Sequence, residues 1–215
     1  SRFCAMPRQG HIDRLKRIHG YLSKMRHATI KIRTDAPDYS NIPVKMHDWE
    51  YSCYADAKEE IPLDARKPKR KPVTMTSFFD ANLYHNLISG KSVTGILHQL
   101  NKTPINWYSK LQSTVEMATF GLEYVAARTC TEQVIDLCLT LRYLGVPING
   151  PTMVLGDNEL VINSAAIPHS KMHKCWVALS YHRVRHAVAA GIINIRHIAG
   201  KKNPADILSK HWDLP

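Results

Sequence analysis

The sequence predicts an α/β domain, a five-stranded mixed sheet flanked by helices, with an N-terminal helical and linker appendage. Three observations predict it. From Val73 onward short strand-like runs alternate with longer helical patterns. The longest helical pattern falls between the third and fourth strands, where a crossover is needed. And the fourth run, Pro151-Thr-Met-Val-Leu-Gly-Asp157, is a short apolar strand that ends on an acid and passes straight into a second helical pattern.

The bulk numbers set bounds. With 215 residues and 44% hydrophobic residues the chain can bury one substantial core and carry an appendage. Its formal charge of +11 favours a polyanionic partner. That excess is uneven: residues 1–34 hold nine Lys or Arg against one acid, Asp13, whereas residues 80–215 hold thirteen against nine acids. Five cysteines, an odd number without a Cys-x-x-Cys pair, argue against a disulfide framework and a zinc ribbon and for a reducing compartment. No stretch approaches the roughly 20 apolar residues of a membrane span, and no signal-peptide pattern opens the chain. The chain starts at Ser1 in the middle of a pattern, as expected of a fragment of something longer.

In chain order, Ile12, Leu15, Ile18, Leu22 and Met25 fall three or four apart, which predicts an amphipathic helix over residues 7–25 with Arg14, Lys16, Arg17 and Lys24 on its other side. Residues 35–65 hold prolines and aromatics without a sustained period and read as a connecting segment with local strands. The basic run Arg66 to Lys71 reads as exposed linker. Strands are expected at 73–79, 93–100 and 105–109, with Gly90 and Gly95 bracketing turns. Ser113-Thr-Val-Glu116 has the form of a capping box and opens a helix to Leu144, stopped by Gly145 and Pro147. After the strand at 152–156 comes a short helix through Ala165 and a break at Pro168. A further helix to Ala190 follows, with Val177, Tyr181, Val184 and Val188 as its apolar stripe and Lys174, Arg183 and Arg185 elsewhere. Residues 192–198 form the fifth strand. Asn203-Pro204 then starts a last helix, Asn203 as N-cap and Asp206 in the first turn.

Four acids stand out in this layout: Asp80 after the first strand, Glu123 inside the long helix, Asp157 at the end of the fourth strand and Asp206 at the start of the last helix. Gathered in one place, they would make a magnesium site facing a phosphate backbone. Hard Mg²⁺ prefers oxygen ligands, and several carboxylates are needed to hold two ions about 3.5–4 Å apart. Without metal such acids repel one another and some are protonated. Three of them also have an ordinary structural reading: Asp157 as an N-cap, Asp206 as a favourable charge in a first helical turn, Asp80 as a turn acid, whereas Glu123, inside a helix, needs no cap. Glu116 lies seven residues from Glu123, on the same predicted helical face, and is accounted for by the capping box. Other constellations fail. His182 and His186 lack the intervening Glu of a metalloprotease motif, His169 and His173 lack cysteine partners, and no phosphate-binding Gly-x-x-x-x-Gly-Lys loop is present.

The order Asp80, Glu123, Asp157, Asp206 resembles ribonuclease H, and more closely the C-terminal part of copia-type retrotransposon Pol polyproteins. The residues that carry the likeness are Phe79-Asp80-Ala81-Asn82, Gly90-Lys-Ser92-Val-Thr-Gly95, Trp107 to Val115, Glu123-Tyr124-Val-Ala-Ala127, Gly156-Asp157-Asn158, Tyr181-His182 and Ala205-Asp206-Ile207-Leu208-Ser-Lys210. Together they cover residues 73–212. The opening Pro7 to Leu22 resembles the last helix of the reverse transcriptase that precedes this domain in such polyproteins. On this likeness residues 1–34 are the reverse transcriptase tail, 35–72 a connecting segment and 73–215 a ribonuclease H-like domain.

The resemblance implies strand order 3-2-1-4-5 and hydrolysis of the RNA strand of an RNA–DNA hybrid with two Mg²⁺, Mn²⁺ substituting. It places Asp80 and Asp157 between the metals with Glu123 and Asp206 flanking, and Glu123 rather than Glu116 matches the family block. Tyr54-Ala-Asp56-Ala57 mimics the first-strand block, but Asp80 has the right spacing to Lys91. The chain departs from many members at Asn82, where a second acid often stands. His197 resembles the histidine that assists product release in cellular ribonucleases H, although it is expected to face out of the last strand. Lys91, Lys110, Asn158, Lys174 and Arg183 are the expected contacts to a hybrid read through its phosphates and 2′-hydroxyls. The implied partners are that hybrid and the upstream reverse transcriptase, with no membrane and no small-molecule cofactor. The implied setting is a cytoplasmic retroelement particle, the nucleus being the second compartment. A rival expectation is a decayed domain that only binds nucleic acid or supports the polymerase. A transposase or integrase on the same fold is disfavoured, because those place the glutamate last.

Overall fold

The computed structural model describes residues 8–29, 31–43, 47–86, 90–116, 118–172 and 175–210, with the side chains of 84–86 outside that description. It divides into two units, residues 1–32 and 33–215. In the first, helix α1 (Gln9–Lys24) forms as its period predicts, and its stripe of Ile12, Leu15, Ile18, Leu22 and Met25 is exposed.

The second unit holds strands β1 (Met75–Asn86), β2 (Lys91–Leu100) and β3 (Thr103–Leu111), then α2 (Thr119–Tyr143), β4 (Thr152–Gly156), α3 (Glu159–Ala166), α4 (Ala178–Ala189), β5 (Ile193–His197) and α5 (Asp206–Ser209). The sheet order is β3-β2-β1-β4-β5, as the resemblance implies. β1, β2 and β3 form an antiparallel meander, while β4 and β5 run parallel to β1, so α2 and α4 serve as crossovers. The C-terminal ends of α2 and α4 follow ordinary helix-stop chemistry. At Gly145 (φ 75°) and Gly191 (φ 70°) the left-handed residue stops α2 and α4, and the following amides, Val146 and Ile192, bond back to Leu141 and Ala187.

Phe79, Ile96, Leu122, Tyr124, Ala127, Cys130, Val134, Val154 and Ile195 form the core between the sheet, α2 and α4. A polar chain crosses it: the Ser77 hydroxyl meets His98 Nδ1 at 2.7 Å, and His98 Nε2 meets Gln133 Oε1 of α2 at 2.9 Å. Burial holds the His98 ring below the usual histidine range, so it stays neutral and able to bridge.

Several expectations are corrected. β1 runs on through Asp80, so this acid lies inside a strand and not in a turn after one. Gly95 sits within β2 and not at a turn; a Cβ there would lie 2.7 Å from the Ala205 carbonyl and 2.9 Å from the Ser209 nitrogen, because α5 rests directly on the strand. The Ser113–Glu116 capping box does not start α2. The helix begins at Thr119 after Ala118, and Glu116 precedes it, buried against Gly121, so Glu116 and Glu123 do not share a helical face. α5 begins at Asp206, later than expected, because Asn203 turns its side chain inward: Oδ1 accepts from the Ala205 amide and Nδ2 donates to the Phe79 carbonyl at 2.9 Å.

Among the described residues of 35–72 the expected local strands do not form; the segment lies over the sheet and helices instead. Glu59 forms a two-toothed ion pair with Arg142, Lys102 pairs with Asp35, and Trp49 and Tyr54 cover Arg185. Arg185, expected on the polar side of α4, is 2% exposed. Its guanidinium donates to the Ser164, Ile167 and Pro168 carbonyls at 2.5–2.7 Å, closing the C-terminal end of α3. It also lies 4.8–5.3 Å from the Trp49, Tyr54 and Tyr181 ring centres. Each buried acceptor left without a donor costs about 1–3 kcal/mol. Arg185→Leu is therefore expected to lower unfolding free energy by at least about 2 kcal/mol in urea titration; an unchanged midpoint would contradict this role.

Candidate metal centre

Three acids meet because of register. β1 and β4 pair in parallel with Thr76 opposite Met153 and Phe78 opposite Leu155, and carrying that register two residues further sets Asp157 beside Asp80. Gly156 makes the approach feasible: a Cβ there would fall 2.3–2.8 Å from the Phe79 ring that fills the space under the end of β4. Glu123 arrives from the second turn of α2. The Gln112 amide holds that turn, donating to the Leu122 carbonyl at 2.9 Å and to Thr94 Oγ1 of β2 at 3.0 Å. As a result one carboxylate oxygen each from Asp80, Glu123 and Asp157 lie within 4.8 Å of one another.

The electrostatics of this triad are unfavourable as they stand. Asp80 and Glu123 are each 4% exposed. Burial raises the Glu123 carboxyl well above the usual glutamate range, Asp80 and Asp157 add to the rise, and the Ala81 backbone offsets a little of it. Burial likewise raises Asp80, against the hydroxyl of Ser209, which donates to its Oδ2; Asp157 and Asp206 raise it further. Glu123 Oε2 is buried without a hydrogen-bond partner. A glutamate with an orphaned buried oxygen, crowded by two more carboxylates, is a poor arrangement for a bare protein and a fitting one for a hard divalent cation, which takes oxygen ligands and cancels their repulsion. The residues therefore fit the metal that the resemblance implies.

The fourth acid stands slightly apart. Asp206 opens α5, is not one of the triad, and forms an ion pair with Lys210 one turn on. It remains close enough to bear on Asp80. Asp206 beside it holds the Lys210 ammonium above the usual lysine range, with Asp80 and Asp157 contributing.

The remaining predicted positions divide. His197, at the end of β5, is exposed and its Nε2–H meets the Asp157 carbonyl oxygen at 3.2 Å, beside the triad. Asn158 is the N-cap of α3, its side chain accepting from the Val161 amide at 3.2 Å, so the capping job weighed for Asp157 falls to its neighbour. Lys91 starts β2, Lys110 lies exposed on β3 with its ammonium 5.4 Å from the Tyr108 ring centre, and Arg183 is exposed on α4. Lys174 lies outside the described residues. Among the described residues, the cation set beside the acids is Lys210. Ser209, Lys210 and Gln112 were not singled out as site residues. The first two had a signal, falling three and four residues after Asp206 on one helical face; Gln112 had only its place in the Trp107 to Val115 block that carries the resemblance.

No family model matches the chain. The retrovirus-related Pol polyprotein of transposon RE1 from Arabidopsis thaliana is 26% identical over 212 residues, 98% of this chain and 12% of that polyprotein. The chain spans about a tenth of the length of the curated relatives it matches, which are Pol polyproteins of transposons. Among solved structures, the N-terminal RNase H domain of a Mycobacterium tuberculosis protein superposes with a TM-score of 0.50 at 15% identity, covering 64% of this chain and 91% of that one. LC11-RNase H1, solved in complex with an RNA/DNA hybrid, gives 0.50 at 17% identity over 63% and 93%. The chain is thus related to transposon Pol polyproteins, and its second unit has the ribonuclease H fold.

The raised acids give a sign to pH dependence. Glu123 binds its proton more tightly folded than unfolded, so the stability it permits is full below the unperturbed value of 4.5 and is lost as pH rises through its higher folded value. Asp80 acts in the same sense from 3.8. In chelator, Glu123→Gln is expected to melt higher than wild type at pH 7, by about 2–4 °C per kcal/mol of relieved repulsion, and to show a flatter decline above pH 4.5. Thermal melts at matched pH check this; a variant with the wild-type slope and a lower melting temperature at pH 7 would contradict it.

Proposed function

We propose that this domain hydrolyses the RNA strand of an RNA–DNA hybrid during reverse transcription of a transposon, with divalent cations held by Asp80, Glu123, Asp157 and Asp206. The observation that carries this reading is the buried triad with its unpartnered Glu123 oxygen, set on the ribonuclease H fold in a chain related to transposon Pol polyproteins. Neither the fold nor the relationship would require three acids to crowd together at this point if the domain served only as a scaffold. In this reading residues 1–34 end the polymerase part, 35–72 connect, and 73–215 form the nuclease. Its setting is the retroelement particle in the cytoplasm.

Two Mg²⁺ ions, or Mn²⁺ in their place, would supply an activated water and stabilise the leaving 3′ oxygen. The chain's own residues set up that chemistry. Asp80 and Asp157 are fixed by the sheet, the first inside β1 and the second at the end of β4, so neither can drift as charge enters the site. Glu123 is fixed by a helix whose first turns are tied to β2 and β3 through Gln112. Ser209 orients Asp80 by its hydrogen bond, leaving the other oxygen for a ligand. His197, anchored on the Asp157 carbonyl at the exposed rim, is placed to meet a departing product. Lys91, Lys110, Asn158 and Arg183 are the proposed contacts to the hybrid, a shape readout of phosphates and 2′-hydroxyls with little sequence preference.

Asp157→Asn keeps the shape of the side chain while removing its charge. It is expected to leave folding and hybrid binding intact and to slow Mg²⁺-dependent cleavage of a labelled hybrid by more than the roughly 10–100-fold that losing an outer-shell partner costs. Cleavage at the wild-type rate would refute the assignment, and a wild-type protein that binds hybrid but never cuts it in Mg²⁺ or Mn²⁺ would favour the decayed-domain alternative.

A further inference from the structure

We propose that Lys210 is a built-in counter-cation of this site, occupying the Asp206 carboxylate and making uptake of a second divalent ion conditional on its release. The proposal rests on the metal-dependent reading above and adds to it an order of filling.

The four acids are not equivalent in the structure. One carboxylate oxygen each of Asp80, Glu123 and Asp157 lie within 4.8 Å of one another, and Glu123 Oε2 is buried with no partner, so one ion can enter without displacing a cation. Asp206 is already neutralised by the Lys210 ammonium, one helical turn away. Between them Ser209 donates to Asp80, which pins α5 to β1, and Gly95 lets the helix lie flat on β2. The Lys210–Asp206 pair is thus held over the triad by a docked helix.

The two partners differ in freedom. Asp206 is fixed at the start of the helix with 29% of its side chain exposed, whereas 53% of the Lys210 side chain is exposed at the rim. A lysine ammonium is a strongly hydrated point charge on a flexible stem and can leave without unfolding its helix. Once released it faces whatever enters the site, and an incoming phosphodiester backbone is a polyanion able to receive it. Hybrid binding and second-ion binding would then assist one another, by equal factors in both directions.

Magnesium titration calorimetry on the full chain tests the order, with Lys210→Met removing the charge at similar length and Lys210→Arg retaining it. Exposed ion pairs are worth little, so Lys210→Met is expected to tighten the second, weaker uptake by about two- to fivefold while leaving the first unchanged. Lys210→Arg should stay close to wild type, and Asp206→Asn added to Lys210→Met should abolish the second uptake. If Lys210 served only to hold α5 in place, its loss would loosen Asp206 and weaken the second uptake, the opposite sign. A second uptake that is unchanged or weaker in Lys210→Met overturns the proposal and leaves the nuclease reading standing. If wild type and both variants take up no ion at all, the metal-dependent reading itself falls.

Discussion

The constraint on which this structure turns is the crowding of like charge in a buried place. Carboxylates from β1, α2 and the end of β4 are brought within 4.8 Å, two of them almost wholly shielded from water. Burial and mutual repulsion both oppose ionisation there, as the raised Asp80 and Glu123 carboxyls show. Nothing in the cluster itself favours assembly, so the rest of the fold has to impose it. Parallel register fixes the two aspartates at one level of the sheet, and the Phe79 ring under Gly156 allows β4 to end there. Gln112 brings the first turns of α2 onto the meander, and Asn203, Ser209 and Gly95 bring α5 onto it from the chain's far end.

The same constraint gives several neighbouring polar side chains a fixed task. Asn203 spends both ends of its amide on the backbone, Ser209 serves Asp80, and Asn158 caps α3 so that Asp157 beside it is left for ligands. Farther off, Arg185 closes the end of α3 and is itself covered by Trp49 and Tyr54 from the segment before the sheet. That segment is therefore part of the folded unit and helps set the helix that follows the metal centre.

Much of this was legible in the sequence, and the residues show why. Strong period and strong stop signals survive folding, so Gly145 ended its helix as expected and the apolar run at 152–156 became the central parallel strand. Local signals failed where tertiary contacts overrode them. The Ser113–Glu116 box has the right letters, but the chain there is still leaving β3, and Glu116 turns in against Gly121. Gly95 looked like a turn because the sequence shows a glycine but not the helix that will lie on it. Arg185 looked exposed because a helical wheel does not reveal three carbonyls and three rings waiting on its buried side. At the site, the order of acids was readable because each sits in a distinct element. The pairing of Asp206 with Lys210 and the support from Gln112 depend on the path of α5 and on where β3 meets α2.

The most direct measurement is anomalous scattering from crystals of this chain grown with Mn²⁺. The account predicts a metal peak bounded by Asp80, Glu123 and Asp157, with Glu123 Oε2 among its ligands. A peak elsewhere on the surface with the three carboxylates unligated, or no peak at saturating Mn²⁺, would contradict it.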